Sequence, residues 1–430
     1  MLGAVRDLRH VSRPSAVRRR HRRAAAATAA AVLLLAGAGC DSGRAPDAAS
    51  VPCATPGVTD SQVRIGLIYP DTGPLSSVFM AARSGFEARL ALANAAGGVH
   101  GRMIKIVWVD DGGNPATNEV VARRLVERDG VFAVAELTTA ASGSARYLAG
   151  ADVPVVGLAA EAVWNDFDNM FAPDYLFSSG GFVTTLGEFA RAQGGTWVAV
   201  VEQSLSASSE ALSDQVISSM TTRGVTPVAR LSYTVGQSSP EQVVARIAES
   251  QADVLVVQTP IDGLREILRA SRAAHVAYKV VLSAVAYDKS LLADAGVELA
   301  GATAFFDHIS WDSDSPDLAR FRETMLRYAS QTSDPDQVTV LNSYVAADML
   351  LRGLAVAGPC PTRAGFHSRL RSVTDYDAAG LMPGGLDLST NRGSPSTCLT
   401  FAEVNATGTG YEVIPGPDGR QQWCGTRHRL

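Results

Sequence analysis

Apolar and polar positions along this chain fall into two alternating periods. Val63, Ile65, Leu67 and Ile68 form a short run rich in β-branched residues, ended by Pro70, Gly73 and Pro74, the pattern of a buried strand followed by a loop. From about residue 80 to residue 94 the apolar positions move to helical spacing, with Phe86, Leu90 and Ala93 on one side and Arg83, Glu87 and Asn94 elsewhere. Gly97 and Gly98 stop that helix, and residues 103–109 make a second apolar run, so the opening predicts a parallel β-α-β unit. The alternation continues with a charged helix over 118–128, strands over 131–135 and 153–156, and a helix through Tyr147 and Leu148. After a connection through Tyr175 and Phe177 it starts again, with strands over 196–201, 228–233, 254–257 and 279–282 and helices over 210–220, 240–250 and 264–273. Residues 300–306 read as a return crossing, 317–331 and 338–357 as helices, and 381–388 and 397–404 as strand-like segments that make a third crossing. Strand and helix in alternation predict an α/β chain with doubly wound parallel sheets, whose ligands bind beyond the carboxyl ends of the strands.

The ordered set of a strand, the loop Thr72-Gly73-Pro74, a helix, Asn94-Ala95-Ala96-Gly97-Gly98-Val99-His100-Gly101, a strand and Asp110-Asp111 resembles the opening of the type I periplasmic binding proteins. The nearest branch is the leucine/isoleucine/valine-binding group of ABC-importer receptors, and the resemblance runs over about residues 58–413. It implies two doubly wound lobes joined by a three-segment hinge near Tyr175, Phe305 and Pro383, with residues 60–176 and 307–385 in one lobe and 177–306 and 386–430 in the other. It implies a monomeric, non-enzymatic receptor that closes over a small polar solute, a branched-chain amino acid or a related amide or acid, and presents it to a membrane permease. A ligand sensor that signals to a membrane partner without transport is the alternative the same fold allows.

Candidate ligand residues follow from loops at strand ends. Thr138, Thr139 and Ser142 come after a predicted strand and open a predicted helix, where hydroxyls and free amides can hold a carboxylate; plain N-capping is the simpler role. The resemblance aligns Thr138 with the hydroxyl residue that binds the ligand carboxylate, and Ala159, Ala160 and Glu161 with a loop that supplies backbone groups and a hydroxyl. Glu161 departs from that pattern, so it either turns away from a ligand carboxylate or binds an ammonium group. On the second lobe an aromatic residue and an acid are implied; Pro260 and Ala284 stand there, with Asp262, Tyr287 and Asp288 close by as replacements. Phe79 is a candidate apolar wall, and Ser204, in the polar loop after the first strand of the second half, a candidate polar contact.

Charge and composition narrow the class. The chain of 430 residues has a formal charge of −5, but residues 1–39 hold eight Arg against one Asp, so the remainder sits near −12 and a nucleic-acid partner is not expected. Arg18-Arg19-Arg20-His21-Arg22-Arg23 leads into an apolar stretch over 24–38 and then Gly39-Cys40, the arrangement of a lipoprotein signal peptide with Cys40 as the acylated residue. Residues 40–59 read as a flexible tether, which places the folded body outside the cytoplasm on the outer face of the cell membrane. Cys53, Cys360, Cys398 and Cys424 remain, an even number in an exported chain, and four cysteines permit three connectivities. Cys360 with Cys398 and Cys53 with Cys424 is the favoured pairing, the second tying down the two ends of the body. No cofactor or metal is expected: Asp110-Asp111 offers too few oxygens for calcium, and no nucleophile elbow, zinc-protease motif or phosphate loop occurs.

Overall fold

The structure, a computed structural model, describes residues 53–73, 76–175, 181–203, 207–332, 334–383 and 385–429. The signal peptide, Cys40, most of the tether and Ser204 lie outside these residues. The first alternation forms one sheet of β1 (Gln62–Tyr69), β2 (Met103–Asp110), β3 (Ala133–Glu136), β4 (Val155–Gly157) and β5 (Met170–Phe171), all parallel, in the order β2-β1-β3-β4-β5. Leu67 and Ala135 face Phe86 and Leu341 on one side, while Ile68 and Val134 face Leu125 and Leu148 on the other. Cover on both faces is why β1 reads as a continuous apolar run and not as an alternation.

A short strand, β6 (Gly181–Val183), precedes the second sheet, where β7 (Trp197–Gln203), β8 (Thr226–Tyr233), β9 (Val254–Gln258), β10 (Val280–Ser283) and β11 (Thr303–Phe306) are parallel in the order β8-β7-β9-β10-β11. Strand for strand this repeats the order of the first sheet. Antiparallel β12 (Cys398–Val404) extends it from β11, with β13 (Tyr411–Val413) and β14 (Gln422–Cys424) both on β12, and β15 (Arg427–Arg429) closes back on β6.

The helices of the first half are α1 (Ser76–Phe79), α2 (Ala82–Ala95), α3 (Pro115–Arg123) and α4 (Ala145–Gly150). Those of the second are α5 (Thr185–Ala192), α6 (Ala207–Thr222), α7 (Pro240–Ser250), α8 (Ile261–Ala273) and α9 (Lys289–Leu299). Three more follow: α10 (Pro316–Tyr328), α11 (Val338–Ala357) and α12 (Arg363–Arg371). The starts of α3, α7 and α10 share one local cause: Asn114, Ser239 and Ser315 accept amide hydrogens of the first turn, and a proline follows each cap. α10 and α11 pack on α2, and α11 also meets β4, so these helices return to the first sheet. α11 is long and apolar enough to cross a membrane by length and composition, but most of it is buried in the core. The chain therefore passes between the sheets three times: after β5, after β11 and before β12.

Two expectations are corrected. The disulfides join Cys53 to Cys360 and Cys398 to Cys424, not Cys360 to Cys398 and Cys53 to Cys424. Cys398 and Cys424 sit directly opposite each other in the β12–β14 pair, with Cα atoms 4.0 Å apart, which fits the close antiparallel position. Cys53 instead meets Cys360, just beyond the end of α11. The segment 381–388 is no strand: a turn at Ala378–Gly380 precedes it, and Leu386 makes only an isolated bridge to Tyr376. Pro383 lacks an amide hydrogen and Gly385 takes a positive φ of 68°, which breaks a regular ladder.

Candidate functional site

The carboxyl ends of the first sheet are tied together by their own acids. Asp110, at the end of β2, accepts the Thr72 hydroxyl at 2.6 Å and the amides of Asp71, Thr72 and Gly112. Burial works to raise its pKa, but those hydrogen bonds together outweigh it and hold the carboxyl below its ordinary value. Asp111 accepts the Gly113 amide and Asn118 Nδ2. Both acids organise loops, and among the described residues no group of three or more His, Cys, Asp or Glu is placed to hold a metal ion. Gly157 is required where β4 leaves the sheet, because a Cβ there would stand 2.0 Å from the Glu136 carbonyl oxygen. That close approach sets the path of residues 158–161.

A cavity of about 290 Å³ opens where this loop faces the second sheet. Leu158, Ala159 and Ala160 line it after β4, Ala284 and Tyr287 after β10, and Val338 and Asn342 from α11. Each crossing adds to the wall: Pro173 and Asp174 from the first, Phe305 to His308 from the second and Met382 from the third. Tyr287 is 2 % exposed, stacks on Phe306 with ring centroids 3.7 Å apart, and accepts the Trp311 amide at 2.7 Å. Burial raises its phenol pKa, so it remains neutral. Asp174 and Asp307 are each pushed up by burial, Asp307 further by the charge of Asp174. His308 is held neutral, its pKa lowered to about 4 by burial. A second cavity of about 240 Å³ adjoins this one, sharing Pro173, Asp307 and Met382 and lined also by Arg427, while the depressions around Arg191 and Arg223 and around Arg89 and Asp375 are away from this meeting point of the sheets, with Arg223 paired to Glu188 and Arg89 to Asp348.

The sequence-predicted residues divide. Ala159, Ala160 and Tyr287 meet at the cavity. Glu161 lies next to them and its carboxylate accepts the Ser142 amide at 3.1 Å. Thr138 is fully buried and its hydroxyl accepts the Ala140 amide; Thr139 is half-buried, and neither lines the cavity. The helix expected to open there begins at Ala145, so no helix N-terminus stands behind Thr138. Phe79 is buried in the core cluster with Phe86. Asp262 is solvated in the first turn of α8, 3.6 Å from Arg265, so it does not replace the missing acid. Asp174, Asp307 and His308 were not among the candidates. The available signal was an acid directly after an apolar strand run, as in Phe305-Phe306-Asp307.

No curated protein matches this sequence. Among solved structures, LivJ from Streptococcus pneumoniae in complex with isoleucine is 14% identical over 82% of this chain and 99% of its own, with a TM-score of 0.66. A solute-binding protein from R. palustris in complex with 4-hydroxybenzoate is 15% identical over 85% of this chain and 98% of its own, TM-score 0.67. A fatty acid ABC transporter substrate-binding protein from Thermomonospora curvata is 17% identical over 86% of this chain and 94% of its own, TM-score 0.66. At these identities the likeness is one of fold. Residues 62–409 match the periplasmic binding protein family model, and with two parallel sheets of one strand order joined by three crossings, the chain belongs to the type I periplasmic binding proteins.

Proposed function

We propose that this protein is the extracytoplasmic solute-binding receptor of an ABC importer, tethered by lipid on Cys40 to the outer face of the cell membrane, and that it delivers a small solute to a membrane permease. The observation that carries this reading is the cavity at the strand ends, walled by both sheets and by all three crossings. Residues 60–176 with 307–385 and residues 177–306 with 386–430 act as the two lobes, and the crossings near Tyr175, Phe305 and Pro383 absorb the rotation that closes them. The solute is a branched-chain amino acid or a related amide or acid in size. Leu158, Phe305, Phe306, Met382 and Leu399 give an apolar wall suited to a branched or aromatic body. Isoleucine, 4-hydroxybenzoate and fatty acids, bound or carried by the similar proteins, share that plan of an apolar body with a polar end.

Thermal unfolding of the disulfide-bonded protein tests this. Leucine, isoleucine, their amides and amines, and small aromatic acids are added singly. A solute at about a thousand times its Kd adds about 4 kcal/mol of stability and raises Tm visibly. The bound compound is expected back intact, and its uptake is expected to be lost when the gene is deleted. A flat Tm across the panel argues against solute binding, and turnover of the compound against a receptor.

A further inference from the structure

The polar groups lining the cleft cavity are mostly acceptors. Asp174 enters from the first crossing and Asp307 from the second, close enough for the charge of one to oppose ionisation of the other. Among the described residues, no Lys or Arg lines this cavity; Arg427 lines the adjoining one that shares Asp307, where its guanidinium donates to the Pro395 carbonyl, and Asp174 accepts the Ser396 amide at 3.0 Å. His308, 1 % exposed, lines the cavity with its neutral ring, packed against Phe306 and Trp311. Its Nδ1 lies 2.9 Å from the Ile309 carbonyl oxygen, which can only accept, so Nδ1 carries the proton and Nε2 presents a lone pair. That Nε2 is buried, does not open onto the cavity and has no hydrogen-bond partner in the protein, so the two acids are the groups of this wall that a solute meets.

We infer that the cavity takes a solute carrying an ammonium group on an apolar body, with the Asp174 and Asp307 carboxyls accepting from the ammonium. The cation supplies the charge that the facing carboxyls lack. A carboxylate placed there meets two acids. The Ser142 amide, a donor suited to a carboxylate end, is already taken by Glu161. The acids come from the crossings and not from the position of Ala284, so the charge preference is built from residues of this chain's own hinge segments. This inference rests on the solute-binding reading and specifies its charge class.

The test is calorimetric titration of the disulfide-bonded protein with pairs that share a body and differ in charge: isoamylamine against isovalerate, phenethylamine against phenylacetate, with leucine as the zwitterion. The amines are expected to bind at least tenfold tighter than the matched acids. Asp174→Asn and Asp307→Asn keep an acceptor at each position and relieve the like-charge pair, so both are expected to fold with an unchanged or higher Tm. Each is expected to lose at least tenfold in affinity for isoamylamine. Acids binding tighter than amines overturn the charge assignment and leave solute binding standing. Wild-type amine affinity in both Asn variants overturns the residues named. Silence from amines, acids and leucine alike overturns the inference together with the reading it rests on.

Discussion

Glu136 is a fully buried carboxyl at the end of β3, with the Ser144 hydroxyl donating to it at 2.6 Å and Asn118 Nδ2 at 2.9 Å. Burial raises its pKa from 4.5 to about 7; the two hydrogen bonds offset part of that rise, and the charges of Asp111 and Glu161 add to it. Because the folded chain holds this proton more tightly than the unfolded chain, the stabilisation is complete below about pH 4.5 and is lost as pH rises through about 7. The loss approaches about 3 kcal/mol at alkaline pH. Glu136→Gln retains an acceptor for Asn118 and removes the titration, so its Tm relative to wild type is expected to climb between about pH 5 and about pH 8. A Tm difference that stays constant over that range would show that Glu136 does not titrate there. The same residue-scale physics decided which site positions were legible in the sequence. Ala159 and Ala160 follow β4, Tyr287 follows β10 after the short turn Ala284–Ala286, and the structure brings them together. Thr138 and Asp262 also follow strand ends, but the hydroxyl is committed to Ala140 and the carboxylate is turned to solvent beside Arg265. Asp174, Asp307 and His308 converge only because separate crossings meet, which no spacing along the chain encodes.

At the scale of elements, the two disulfides close loops of very different length, with sequence separations of 307 for Cys53–Cys360 and 26 for Cys398–Cys424. If a cross-link acts mainly by restricting the unfolded chain, the longer loop stabilises more, by about 2 kcal/mol in the chain-entropy model. Paired serine variants are therefore expected to separate in urea unfolding, Cys53→Ser with Cys360→Ser falling further than Cys398→Ser with Cys424→Ser. Equal losses would place the effect in the folded state, around Trp423, whose ring meets Phe189 and Phe401. Elements were legible where a local cause sufficed. Strands such as β9 are buried at four of five positions and stand out as Val-rich runs, and α7 is bounded by Ser239-Pro240 at its start and Gln251 in the left-handed region at its end. The segment 381–388 reads as a strand because Leu381, Met382, Leu386 and Leu388 are apolar, but they join the core cluster without forming a ladder. The cysteine pairing failed for a related reason. Which residues face each other across β12 and β14 is a matter of register, and the register depends on a turn that the cysteines do not mark.

For the whole molecule, the informative feature is that the acceptors of the cavity sit on the segments that join the sheets. Asp174, Asp307 with His308, and Met382 belong to three different crossings and line one space. Under the proposed closure, a solute that bridges them draws the crossings together and binds the closed arrangement of the sheets better than the separated one, which is the condition for a ligand to shift a conformational equilibrium. Val120 on α3 and Val297 on α9 are 66 % and 73 % exposed and report on opposite halves, so spin labels at Val120→Cys and Val297→Cys, with both disulfides intact, measure the separation without touching the cavity. Saturating isoamylamine is expected to narrow the distance distribution by pulsed resonance and move it to shorter values. In the Asp307→Asn background the same shift is expected only at about tenfold higher amine, because the contact that favours closure is weakened and the hinge itself is unchanged. A distribution that stays put while calorimetry records binding would mean that the solute does not discriminate between the two arrangements. The crossings would then be walls of a rigid site, and presentation to a permease would have to depend on the solute alone.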